Sequence, residues 1–282
     1  MNAMTKKQLS IIATKLRMLI VEGTHAAKCG HPGGSLSSAD LLAYLYNVEM
    51  NVDPANPRDP NRDRFVLSKG HAAPVLYAAL AEKGFFPKEE IWHLRHLGAM
   101  LQGHPDMNGV PGVDMSTGSL GQGVSAAAGM ALAAKMTGKD YRVYALLGDG
   151  EIEDGQVWEA AMFAAAKKLD NLVIVVDNNN LQIDGTIEEV NSPYPIPEKF
   201  AAFGCNTIVI DGHDFDQIEA ALNNAKETKG KPTAIVMTTT KGKGVSFMEN
   251  AVGWHGVAPN DEQYEVAMAE LNALLAEQQK EV

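Results

Sequence analysis

The segment from Tyr141 to Gly185 restricts the fold of this chain more than any other. It starts with an apolar run, Tyr141-Arg142-Val143-Tyr144-Ala145-Leu146-Leu147, that reads as a buried strand and breaks at Gly148-Asp149-Gly150, a turn that an intact strand cannot contain. Val157, Trp158, Ala161, Met162, Ala165, Ala166 and Leu169 then recur at helical spacing, and Asp170 and Asn171 end the helix. A second strand, Leu172-Val173-Ile174-Val175-Val176, runs into Asp177-Asn178-Asn179-Asn180-Leu181-Gln182-Ile183-Asp184-Gly185. Strand, helix and strand make one parallel crossover, so both polar clusters emerge side by side at the carboxyl edge of one sheet, where α/β proteins bind ligands.

Asp149 offers a carboxylate and Asn179 an amide oxygen, both hard donors, and the glycines beside Asp149 let the backbone approach a bulky anion. Two or three oxygen ligands with open positions suit Mg²⁺ shared with substrate phosphates. A Gly-Asp-Gly by itself is an ordinary turn; the strand, helix and asparagine pair around it give it meaning. With 27 residues between Gly150 and Asn178-Asn179, the segment resembles the thiamine-diphosphate motif. Gly-Asp-Gly-Glu-Ile-Glu-Asp-Gly-Gln-Val-Trp-Glu-Ala resembles the transketolase family in particular.

At 282 residues the chain can bury a full core. Alternating strands and helices without a long linker predict one α/β domain over 1–282, a mostly parallel sheet with helices on both faces. The net charge of −11 argues against nucleic acid or an anionic membrane as the main partner. Cys29 and Cys205 match no zinc spacing and read as small buried thiols, which fits a reducing cytoplasm. The amino-terminal apolar residues are interrupted by Lys15 and Arg17 and read as an amphipathic helix, and no run reaches the roughly 20 apolar residues of a membrane span.

Along the chain, glycine and proline in Gly30-His31-Pro32-Gly33-Gly34 predict a tight non-helical loop holding His31, with Ser37 or Ser38 capping the next helix. Arg62 to His71 predicts a short strand, and a helix over 72–83 leaves His71 at a helix amino terminus that favours anions. Glu89 to Leu97 predicts a helix, to whose Trp92 and His93 we assign no chemistry. Gly103-His104-Pro105 repeats the pattern around His31, and the glycine-rich stretch Gly109 to Gly123 feeds a helix over 126–136 that Gly138 stops. Ile187 to Pro197 holds three prolines and predicts a surface loop. Strands at 206–210 and 233–237 flank a helix over 215–227 that Asp211-Gly212-His213-Asp214 caps, which makes His213 structural or exposed. Lys241-Gly242-Lys243-Gly244 reads as a solvated basic pair ahead of Trp254-His255-Gly256, and 264–279 predicts a last amphipathic helix.

The matched stretches run in transketolase order over roughly Lys15 to Pro259. The resemblance implies Mg²⁺ held by Asp149, Asn179 and the Leu181 carbonyl, and thiamine diphosphate held by His71, Gly150, Asn179 and His255, with Gly118, Ser119 and Leu120 along its aminopyrimidine end. It implies that His31, His104 and His255 face the sugar. It further implies transfer of a two-carbon ketol unit from a ketose phosphate to an aldose phosphate, as in the pentose phosphate pathway.

In this family a second, pyrimidine-binding domain supplies an activating glutamate, and this sequence holds no further α/β set after the first. The expectation is therefore the amino-terminal half of a split transketolase that needs a carboxyl-terminal subunit, with two copies of each chain. One departure stands out: five positions after Asp149, where many members carry glutamate, this chain has Asp154, with Glu153 beside it. Rival readings are a subunit of another thiamine-diphosphate enzyme, such as a specialised sugar transketolase, a deoxyxylulose-phosphate synthase or a pyruvate-dehydrogenase-type enzyme, and a non-catalytic cofactor-binding subunit.

Overall fold

The computed structural model describes residues 5–280. Among them are strands β1 (Arg64–Leu67), β2 (Val143–Gly148), β3 (Leu172–Asn178), β4 (Leu181–Gln182), β5 (Gly185–Thr186), β6 (Asn206–Asp211) and β7 (Thr233–Thr238). Five of them form one sheet in the order β1-β2-β3-β7-β6, and every pair in it is parallel. β4 and β5 form a small antiparallel pair apart from it. The helices are α1 (Lys6–Ala27), α2 (Pro32–Leu36), α3 (Ala39–Tyr44), α4 (Ala73–Lys83), α5 (Gln122–Met136), α6 (Gly155–Ala166), α7 (Ile187–Asn191), α8 (Ile196–Ala202), α9 (Phe215–Glu227) and α10 (Asp261–Lys280).

The central strands are apolar without a break because helices cover both faces, and alternate side chains serve opposite cores. Tyr144, Leu146, Val173, Val175, Ile235 and Met237 pack with α1, α3, α4 and α9. Val143, Ala145, Leu147, Ile174, Val176 and Val236 pack with α5, α6 and α8. This is the doubly covered parallel sheet expected from the crossover at 141–185, whose helix is α6. Among the described residues no helix is long and apolar enough to cross a membrane.

Several local expectations fail. The loop at Gly30-Gly34 contains α2 instead, because proline is well suited to the first position of a helix, and His31 stands at its N-cap. Ser38 does occupy the N-cap position of α3, yet its hydroxyl donates back to the Gly34 carbonyl (3.1 Å) and does not cap. Glu89 to Leu97 yields only a 3₁₀ turn at Lys88–His93, which buries Ile91 and, three residues on at its C-cap, Leu94. Arg95 then takes φ 62° and its N–H bonds the Leu101 carbonyl (2.8 Å), which turns the chain back.

Ile187 to Pro197 is not a surface loop either. Thr186 and Glu189 form a capping box that starts α7, Ile187 and Ile196 are fully buried, and Pro197 sits in the first turn of α8. Of the two cysteines, Cys205 is buried and Cys29 is half-exposed.

Candidate active site

The sheet's carboxyl edge opens into a cavity of about 270 Å³ lined by residues that include His31, Lys69, His71, Asp149, Asn179, Leu181, Lys241 and His255. β2 and β3 end side by side, with Gly148 opposite Asp177, so the crossover delivers Asp149 and Asn179 to one corner. Asp149 is 2 % exposed and makes no salt bridge among the described residues; its oxygens accept from the N–H groups of Gly150 (2.9 Å) and Asn180 (2.6 Å). Burial and the nearby Asp177 charge push its carboxyl up to about 7 against those two hydrogen bonds. Asn179 accepts from the Leu181 N–H (3.2 Å) through Oδ1 and donates through Nδ2 to Asp177 (3.0 Å), which fixes the amide's orientation.

Behind this corner lies a buried ion pair. Lys69, 1 % exposed and two residues past β1, reaches Asp177 (2.5 Å), the Ser38 hydroxyl (2.7 Å) and the Gly34 carbonyl (2.8 Å). Asp177 also accepts from Ser37 (2.7 Å) and from Thr239. Burial alone would raise the Asp177 carboxyl, but Lys69 and the hydroxyls outweigh it and hold it below the usual carboxylate range.

The opposite wall is imidazole. The rings of His31, His71 and His255 stand 5.2 to 5.5 Å apart, centroid to centroid. Burial, reinforced by Arg95, His104 and Lys241, pushes His31 down to about 4, and burial with Lys241, His31 and Lys69 pushes His255 to about 3. His71 lies well below its ordinary value through burial and the Lys69 charge. The three rings are therefore neutral near pH 7, each with a ring nitrogen lone pair that can accept a hydrogen bond. His31 Nδ1 is buried without a hydrogen-bond partner, an orphan of the kind that functional sites keep.

Lys241 is the residue the sequence reading missed most clearly. It is 1 % exposed, not solvated, and its ammonium donates to the Leu181 carbonyl (3.0 Å) and to His255 Nδ1 (2.8 Å). Burial pushes it down to about 8, with Asp149 and Asp177 opposing. Only its neighbour Lys243 is partly open, beside Glu249. The Lys241 loop is pinned by the Gly242 N–H on the Gly33 carbonyl (3.0 Å), and a Cβ on Gly33 would lie 2.7 Å from the Trp254 carbonyl, so glycine is needed there. Lys69 and Glu151 were also missed. Glu151 is buried, accepts from Ser68 (2.5 Å) and from the N–H groups of Gly121 and Gly148 (3.0 Å each), and thereby joins three segments of the cavity floor. A lysine or glutamate beside a glycine in a sequence does not announce that it will be buried.

Of the other expected residues, Gly118, Leu120 and Gly150 line the same cavity. Ser119 does not, and lies in an adjoining cleft with Thr117 and Gln122. His104 is outside the cavity lining but packs over Gly118, whose Cβ position is 3.2 Å from the ring. Asp154 is exposed. His213 is structural: Nδ1 donates to Asp40 (2.7 Å) and Nε2 accepts from the Thr240 N–H (2.9 Å).

Among the described residues no three His, Cys, Asp or Glu side chains are placed to hold a metal by themselves. A buried carboxylate that Lys241 opposes only in part, an amide oxygen and a backbone carbonyl fit a hard cation that takes its remaining ligands from a bound phosphate.

The family model described as transketolase, thiamine diphosphate binding domain, matches residues 8–273. The 6-deoxy-6-sulfo-D-fructose transketolase subunit SqwG of Clostridium sp. (strain MSTE9) is 48 % identical over 259 residues, 92 % of this chain and 94 % of that one. An apulose-4-phosphate transketolase subunit of Phocaeicola vulgatus is 42 % identical over 278 residues, 99 % of each chain. Mus musculus transketolase is 44 % identical over 248 residues, 86 % of this chain but 39 % of its own length. The crystal structure of Campylobacter jejuni transketolase superposes with a TM-score of 0.90 at 34 % identity, over 96 % of this chain and 43 % of that one. The chain thus spans nearly all of the two subunits and about two-fifths of the single-chain enzymes.

Proposed function

Because this chain belongs to the transketolase thiamine-diphosphate-binding family, we propose that it is the cofactor-diphosphate and metal half of a two-chain transketolase that moves a two-carbon ketol unit from a ketose to an aldose. The observation that carries the reading is a single cavity with a buried carboxylate, Asp149, in no direct ion pair on one side and neutral imidazoles on the other.

Asp149, Asn179 and the Leu181 carbonyl hold Mg²⁺; His71, Gly150, Asn179 and His255 receive the diphosphate, and Lys241 adds a positive charge to the same wall. Gly118 and Leu120 border the aminopyrimidine end, with Ser119 one step outside. Bound thiamine diphosphate supplies the reactive ring carbon that carries the two-carbon unit between sugars. The chain's own task is to place that group and to handle sugar protons. His31 and His255, neutral near pH 7, accept a proton from a sugar hydroxyl as the carbon–carbon bond opens and return it to the acceptor, and His104 orients the sugar from beside Gly118.

The activating glutamate and the pyrimidine-binding domain come from a complementary subunit, in an assembly with two copies of each chain that works in the cytoplasm. The two relatives matched over nearly their whole length are both named as subunits, which supports this division. Pentose phosphates are the first sugar pair to test. The names of those same relatives favour a second reading, a specialised ketose such as a sulfonated or branched sugar. Two-carbon transfer measured with this chain alone and with its complementary chain, over a panel of ketose donors, is expected to appear only in the mixture. Transfer by this chain alone would contradict the division of labour, and the active donor decides between the two sugar readings.

A further inference from the structure

Glu153 closes the 3₁₀ turn Glu151–Glu153 that follows Asp149-Gly150, and its two carboxylate oxygens reach across to the excursion beyond β3. Oε1 accepts from Gln182 Nε2 (3.0 Å) and Oε2 from Asn191 Nδ2 (3.1 Å). Gln182 lies at the start of that excursion and Asn191 at its end, where α7 stops, so one side chain ties both limbs to the turn that carries Asp149. The excursion contributes Leu181, Gln182 and Ile183 to the cavity wall, and Ile183 is 68 % exposed, with little packing of its own to hold it. Gln182 also backs directly onto Gly150, 3.3 Å from the position of a Cβ there.

We infer that Glu153 is a positioning residue: a two-armed clasp that holds the outer wall of the cavity against the Asp149 turn and thereby slows release of the metal-bound diphosphate. It touches neither the cofactor nor the substrate. The inference rests on the functional reading above, since it presumes that the cavity takes Mg²⁺ and thiamine diphosphate. Carboxylate acceptors make stronger hydrogen bonds than neutral ones, and a bidentate acceptor fixes geometry as well as energy. The effect belongs to the closed wall and not to the core of the sheet, because neither partner of Glu153 is buried.

The test is calorimetric titration of thiamine diphosphate in Mg²⁺ onto the chain assembled with its complementary subunit, with the release rate followed by stopped flow and thermal unfolding of the unloaded chain as control. Glu153→Ala is expected to weaken binding about tenfold, the scale of one or two lost charge-assisted hydrogen bonds, with the loss mostly in faster release. Glu153→Gln, which keeps one acceptor oxygen, is expected to recover part of it, and the unfolding temperatures are expected to stay together. Asn191→Ala, an exposed change, removes one arm and carries the test should a Glu153 variant not fold. Parent-like affinity and release in every variant would overturn the clasp alone. A loss that follows unfolding temperature and is not restored by glutamine would reduce Glu153 to a stability role. A parent assembly of both chains that binds no thiamine diphosphate would overturn the functional reading and the clasp with it.

Discussion

The two walls of the cavity are assembled in opposite ways. The acidic wall, Asp149 with Asn179 and Leu181, comes from one crossover, β2-α6-β3, and strand register alone sets its two ends side by side. The basic wall, His31, Lys69, His71, Lys241 and His255, is gathered from loops spread over residues 31 to 255. Strand register carries only Lys69 and Lys241, two and three residues past β1 and β7, and does not reach His31 or His255. What aligns them is a set of buried polar ties: Lys69 on Asp177, Gly34 and Ser38, and Gly242 on Gly33. A wall made by adjacent strands tolerates loss of a side chain at its tip, whereas a wall made by ties is as strong as the ties.

The comparison breaks first at the tie. Lys69→Met is expected to cost about 3–5 kcal/mol of stability, because it strands the Asp177 carboxylate in the core. Urea denaturation measures it, and a cost under about 1 kcal/mol would mean the basic wall does not depend on that pair. Asp149→Ala, at the tip of the acidic wall, is expected to fold normally and to lower Mg²⁺-dependent affinity for thiamine diphosphate by about 100-fold or more, as loss of the one charged metal ligand should. A variant that binds like the parent sinks the metal assignment.

His31→Ala sharpens the division within the basic wall. In the assembled enzyme it should leave cofactor affinity nearly unchanged and cut turnover by about 100-fold, the low end of what a lost general base costs. Equal losses in both would move His31 to the cofactor side.

The imidazoles also carry a pH signature. His31 at about 4 and His255 at about 3 lie below their unfolded value, so on acidification the unfolded chain takes up protons first. Their contribution is fully present above pH ~6.5 and is lost as pH falls from there toward the folded values. The unfolding temperature should drop over that window, and His31→Gln should flatten the drop; an unchanged slope removes His31 from the account. The smallest effect is expected at Asp154, which is exposed: Asp154→Ala should change cofactor affinity by less than about twofold.

The same contrast explains what the sequence disclosed. The crossover was legible because periodicity, turn and strand lie in one contiguous segment, and it placed Asp149 and Asn179 without reference to anything else. Apart from His71, set at a helix amino terminus by the residues around it, the histidines were legible only through resemblance, since a histidine in a loop carries no periodic signal. Lys69, Glu151 and Lys241 were not legible, because burial of a charged side chain depends on partners brought from distant loops, such as Asp177 for Lys69. The capping box at Thr186 and Glu189 was readable and was masked by the prolines that follow it. The turn at Arg95 was not readable, because a left-handed arginine is selected by its surroundings and not by its own preference.

The most direct measurement is titration of thiamine diphosphate onto the parent chain, assembled with its complementary subunit, with Mg²⁺ and again with the metal chelated. Binding that falls by about 100-fold or more without metal is expected if Asp149, Asn179 and Leu181 join the diphosphate to the protein through a cation. Equal affinity with and without metal would contradict that account of the acidic wall.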